Sequence, residues 1–91
     1  MLPPEIGQLT NLTWLYLEGN QLTTLPPEIG KLTKLTELQI ERNPLTNTGL
    51  EHLKSLKSLK RLNLCDTKVT NTGVESFKKV LPNCEVEVLR N

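Results

Sequence analysis

Stacked α/β repeats, with a parallel sheet on one side and turns and short helices on the other, are what this sequence predicts, on three observations. First, the segment LTWLYLEGNQL (12–22) returns as LTELQIERNPL (35–45), as LKRLNLCDTKV (59–69) and, in part, as NCEVEVLRN (83–91). Second, each copy alternates apolar and other residues around a central L-x-L or its valine equivalent. An extended strand points both apolar residues to one side and the residue between them to the other. Third, the copies are separated by roughly a dozen residues, the length that a crossover between parallel strands requires. One such strand cannot bury its leucines alone, whereas a stack of them forms a continuous apolar ladder.

The first two copies superpose at a shift of 23 residues, setting Leu12 on Leu35, Leu15 on Leu38, Leu17 on Ile40, Asn20 on Asn43 and Leu22 on Leu45. The third follows at a shift of 24, with Leu62 and Leu64 in the core slots, Thr67 in the Asn slot and Val69 in the last. In the fourth, Val86 and Val88 hold the core slots and Asn91 the Asn slot. This pattern, L-x-x-L-x-L-x-x-N-x-L kept in phase over essentially the whole chain, resembles the leucine-rich repeat family. The resemblance implies a short solenoid bent into a right-handed horseshoe arc, the parallel sheet on its concave side, spanning 1–91 as one domain of about four repeats. It brings no catalytic residues with it. Asn20 and Asn43 read as a structural ladder satisfying backbone groups at the turns, a task for which Thr67 has fewer bonds to offer.

The return segments are of two kinds. LPPEIGQL and LPPEIGKL carry paired prolines, and in the second these restrict helix to a short turn after Pro27. LTNTGLEHLKSL and VTNTGVESFKKV place Leu50, Leu53 and Leu56, then Val74, Phe77 and Val80, at helical intervals, with Asn47 and Asn71 as expected N-caps. A 23-residue LPxxI type thus precedes a 24-residue TNTG type, through natural divergence or a splice of two sources. Phe77 is expected to fill the core beneath its helix.

Alternation also fixes which residues face outward on the sheet. They form three columns across the strands: Trp14, Glu37, Arg61, Glu85; then Tyr16, Gln39, Asn63, Glu87; then Glu18, Glu41, Cys65, Leu89. Glu37, Arg61 and Glu85 alternate in sign, whereas Glu18 beside Glu41 is expected to be a like-charge pair. Trp14 and Tyr16 are the chain's single tryptophan and single tyrosine. Two readings of them are open: they contact a partner, as aromatic side chains do at binding hot spots, or they lie over their neighbours and shield the first strand. The candidate protein-binding set is Trp14, Tyr16, Glu18, Glu37, Gln39, Glu41, Arg61 and Asn63.

Composition narrows the function classes. A net charge of +1 argues against nonspecific attraction to nucleic acid or membrane, and the charge is only mildly uneven. Residues 1–45 carry three Lys or Arg against five Glu, and residues 46–91 carry eight against five Asp or Glu. Lys54, Lys57, Lys60, Lys78 and Lys79 have no interleaved aromatics and are read as solvated helix faces and strand ends. His52, the single histidine, is expected on the polar side of a helix, and one histidine supports neither a His-based triad nor a two-His metal site. The TNTG turns lack the spacing of phosphate-binding loops.

Cys65 and Cys84 lack metal-ligand spacing and lie five positions apart in register, roughly 17 Å at strand rise, so no intrachain disulfide is expected. Cys84 is expected to be semi-buried and Cys65 exposed. No cofactor, metal, small-molecule substrate or intrinsic catalysis is expected. With no basic start or apolar middle in MLPPEIGQLT, the expected location is cytoplasmic, a fragment of a secreted protein being the alternative, and the NLT at Asn11 is taken as a chance glycosylation acceptor. Neither end shows a recognisable cap, so a second reading is a structural repeat protein, natural or engineered, that self-associates through its ends into homo-oligomers.

Overall fold

In the computed structural model, which describes residues 2–88, the chain is a solenoid of four parallel strands joined by convex turns and helices. A 3-10 turn at Pro4–Gln8 leads to β1 (Trp14–Tyr16), and a second at Pro27–Lys31 to β2 (Glu37–Gln39). Helix α1 (Asn47–Glu51) precedes β3 (Arg61–Asn63), and α2 (Asn71–Val80) precedes β4 (Glu85–Glu87). The sheet order is β1-β2-β3-β4, so each repeat pairs with the next. Register follows the expected superposition, with Leu15, Leu38, Leu62 and Val86 in one row.

Burial along that row shows why repeats must stack. Leu38 and Leu62, flanked on both sides, are buried, whereas Leu15 and Val86 in the end strands are only partly covered. Behind the sheet Leu25, Ile29, Leu32, Leu45, Leu50, Leu53, Leu56 and Phe77 complete one continuous apolar core. Fully burying each such side chain contributes about 1.5–3 kcal/mol before the entropy of ordering is subtracted.

The convex side differs from expectation in three places. The N-caps are Thr46 and Thr70, one residue before Asn47 and Asn71, and Thr70 Oγ1 accepts from the Gly73 N–H at 3.2 Å. Asn47 instead reaches into the next repeat. Its Oδ1 accepts from Thr70 N–H at 3.0 Å and its Nδ2 donates to Thr70 Oγ1 at 2.9 Å. Gly73 lies so close to this amide that a Cβ there would sit 2.2 Å from Asn47 Oδ1, which accounts for the glycine of the second TNTG. Finally, Val80 is 41% exposed while Val74 and Phe77 face inward. Steps of three residues lag the helical period by about 60° each, so by Val80 the stripe has rotated off the core, and Leu81 is buried instead.

Candidate functional site

The concave face is set by strands of three residues each, whose outward side chains fall into the expected columns. Trp14, Glu37, Arg61 and Glu85 are in direct register, as are Tyr16, Gln39, Asn63 and Glu87. Leu89, the last member of the third column, and Asn91 lie outside the described residues.

Of the chain's three aromatic residues, Phe77 is buried, whereas Trp14 is 61% and Tyr16 53% exposed, side by side on β1. Their ring centroids are 5.7 Å apart with planes tilted by 38°. The Tyr16 hydroxyl donates to Glu37 Oε2 at 2.9 Å, and Gln39 Nε2 donates to the same oxygen at 2.9 Å. Losing the tyrosine proton would end that bond and set two negative charges together, so the Tyr16 pKa is raised. The hydrogen bond to Glu37 is the main cause, partial burial and the Glu37 charge add to it, and Arg61 opposes it.

The lower half of the face is organised differently from the expected like-charge pair. Glu18 turns to Arg42 and forms an ion pair with it, so the expected repulsion between Glu18 and Glu41 is relieved by a cation one residue beyond the register partner. Glu41 Oε2 accepts from Asn63 Nδ2 at 3.2 Å, and Glu41 Oε1 is buried with no donor among the described residues. Asn63 also accepts from the Cys65 N–H at 3.0 Å and is half-buried, so it braces the turn after β3 as well as lining the face. Arg61 lies near Glu85, Nε to Oε2 4.0 Å, both largely in solvent.

Below the columns runs the asparagine ladder. Asn43 Oδ1 accepts from the Asn20 and Leu22 N–H groups at 2.9 Å each, and its Nδ2 donates to Leu17 O and Ile40 O at 2.9 Å and Glu41 O at 3.2 Å. Thr67 makes one bond of this type, Oγ1 to Leu64 O at 2.7 Å. The residue just before this column is left-handed in three repeats: Gly19 at φ 68°, Arg42 at 58° and Asp66 at 56°. Glycine adopts that conformation freely, whereas for arginine it is strained. The five bonds of its neighbour Asn43 hold Arg42 there, aimed at Glu18. The pairing of Arg42 was not legible from the alternation, because this residue sits in the turn beyond the strand.

The remaining polar candidates sit elsewhere. His52 is half-buried at the end of α1, beside Leu25 and Pro27 on the convex side, and is thus less exposed than expected. Cys65 is half-buried and Cys84 buried, and both are free thiols. Burial is the main cause raising the Cys84 pKa from 9.0 to about 11, with Lys78 lowering it and Glu85 raising it. Among the described residues no group of three His, Cys, Asp or Glu is placed to hold a metal ion, and no helix is long and apolar enough to cross a membrane.

A family model described as a leucine-rich repeat region matches residues 1–81. Among solved structures, a leucine-rich repeat protein of Leptospira interrogans superposes with a TM-score of 0.87 at 42% identity, over 96% of this chain and 22% of that one. The plant peptide hormone receptor RGFR1 in complex with RGF2 superposes with a TM-score of 0.59 at 19% identity, over 99% of this chain and 18% of the receptor, a likeness of fold alone. This chain therefore spans about a fifth of the length of each of these proteins. A comparison with curated proteins gave no match.

Proposed function

The chain belongs to the leucine-rich repeat family, and from that membership together with the layout of its concave face we propose that it is a protein-interaction module. The partner lies on the sheet, in contact with Trp14 and Tyr16 and flanked by Glu18, Glu37, Gln39, Glu41, Arg61 and Asn63. The observation that carries this reading is the exposure of two large rings on one strand in a chain with only three aromatics. Rings of this kind bring large contact area with few torsions to freeze, and dominate binding energies where they occur. The plant receptor is a repeat protein with a bound partner, which is consistent with the reading at the level of fold.

The test is selection of binders from a randomised peptide library against the folded chain, followed by Trp14→Ala. Ring truncation at a hot spot costs about 2 kcal/mol or more, roughly 30-fold in affinity. Binders are expected to lose at least that much while the unfolding midpoint stays in place. Binders that hold equally well to Trp14→Ala would mean that the rings only shield β1.

A second reading, self-association through the ends of the solenoid, is favoured by one feature. Leu9 is 51% exposed, and Leu2, Ile6, Leu12, Leu15 and Leu17 of the same end, packed against the core, are only partly covered. Light scattering across a wide concentration range under reducing conditions separates the two: a mass that rises to a defined multimer supports end pairing, and a constant monomer refutes it.

A further inference from the structure

The concave face carries charge of the opposite sign to the molecule as a whole. Against a net charge of +1 for the chain, its side chains among the described residues include Glu18, Glu37, Glu41, Glu85 and Glu87 against two cations, Arg42 and Arg61. Arg42 is paired with Glu18, and Arg61 stands in register between Glu37 and Glu85 with its guanidinium 4.0 Å from Glu85. Glu37, Glu41 and Glu87 are left without a cationic partner among the described residues.

Glu37 and Glu41 each have one oxygen short of a donor, and Glu87 stands exposed on β4. The bonds to Glu37 both fall on Oε2, from Tyr16 and Gln39, so the carboxylate is held in place beside the ring pair while Oε1 receives no bond from the described residues. Glu41 has one oxygen bonded to Asn63 and the other buried with no donor, an arrangement that costs free energy until a donor is supplied. Turning this carboxylate outward forfeits a single long bond. Trp14 and Tyr16 then add exposed π faces immediately next to Glu37, and an ammonium or guanidinium group over such a face is attracted by the ring quadrupole.

We propose that the occupant of this face is an extended peptide segment bearing lysine or arginine, with one cation held between the Trp14–Tyr16 rings and Glu37 and a second at Glu87. The proposal rests on the binding reading above and gives it a partner class. Glu37 and Glu87 are two strands and two residues apart in register. At about 4.8 Å between strands and about 3.3 Å per residue, this separation is roughly 12 Å. Extended chain covers that in about four residues, and an even spacing of four keeps both cationic side chains on the face turned to the sheet. An acidic or phosphate-bearing partner is disfavoured by the same carboxylates.

Trp14 is the sole tryptophan, so its fluorescence reports the site directly. The probes are three synthetic peptides of one backbone sequence, carrying at two positions four residues apart either lysine, glutamine or glutamate. The lysine peptide is expected to shift Trp14 emission and to bind about tenfold more tightly than the glutamine peptide, an advantage that shrinks with added salt. Glu37→Gln is expected to remove most of that advantage. Equal affinity of the lysine and glutamine peptides, both moving Trp14, overturns the cationic preference and leaves the concave reading standing. Binding of the lysine peptide that leaves Trp14 emission unmoved and survives Trp14→Ala overturns both. Absence of any lysine-peptide binding up to about 1 mM, a free energy near 4 kcal/mol, overturns the proposal.

Discussion

Asn43 and Asn20 occupy the same slot of successive repeats, yet removing their amides is expected to have very different effects. The Asn43 side chain spans two repeats, accepting from Asn20 and Leu22 N–H and donating to Leu17 O, Ile40 O and Glu41 O. Two amide hydrogens serve three carbonyls, so one is shared and the set amounts to about four full bonds. At about 1 kcal/mol net per bond, Asn43→Ala is expected to cost about 3–4 kcal/mol, the buried Leu22 N–H being the hardest group to leave without a partner. Chains of this length have roughly 5–14 kcal/mol of stability in all. Asn20 donates only to Leu17 O and Glu18 O, within its own repeat and in solvent. Asn20→Ala is expected to cost about 1 kcal/mol or less. Urea unfolding followed by circular dichroism and by Trp14 emission measures both variants, with the slope against urea checked for constancy. Equal losses for the two variants, or a loss under about 1 kcal/mol for Asn43→Ala, would refute the view that the ladder stabilises by serving the neighbouring repeat.

Three further outcomes are expected. Thr67→Asn gives the third repeat the amide that the second has, and should raise the urea midpoint by an amount worth about 1 kcal/mol. Gly73→Ala should destabilise by about 1 kcal/mol, because displacing the Asn47 amide from Thr70 outweighs the gain of about 0.8–1 kcal/mol in helix propensity. In an Asn47→Ala background the same change should become neutral or favourable, and a double-mutant cycle measures the difference. The third outcome concerns pH. The buried Cys84 thiol has a folded pKa raised from 9.0 to about 11, so its neutral form is fully favourable below pH 9. Between pH 9 and 11 the unfolded chain releases this proton first, and stability falls by on the order of 2 kcal/mol. Tyr16 acts in the same direction, so the part belonging to Cys84 is the part that Cys84→Ala removes from the pH profile of unfolding. Below pH 9, alkylation should modify Cys65 well before Cys84.

The sheet and its columns were legible in the sequence because period-two alternation, repeated in phase, leaves one register possible for Leu15, Leu38, Leu62 and Val86. The convex side was less legible, since Asn47 and Thr46 are both good caps and only the position of the next repeat decides that Asn47 binds Thr70 instead. Val80 was misplaced by treating steps of three residues as a helical stripe; α2 is long enough for the lag to matter. In α1 the same spacing at Leu50, Leu53 and Leu56 gave three buried leucines because the helix ends at Glu51 and turns carry the rest. The columns located the candidate face, but not the release of Glu18 by Arg42 or the unmatched oxygen of Glu41. These depend on a left-handed turn and on rotamers that no spacing rule encodes.

The direction in which Asn43 works sets an order for the chain as it is made. Its amide completes the turn of the repeat before it, so residues 12–22 have their strand and leucines before they have the groups that close their turn. While the chain is being synthesised, the first repeat is an unfinished structure until Asn43 has cleared the ribosome exit tunnel. In the third repeat, where Thr67 replaces the amide, the second repeat receives weaker closure. Maturation on the ribosome should therefore advance one repeat behind synthesis, with the weakest step at the junction of the two repeat types.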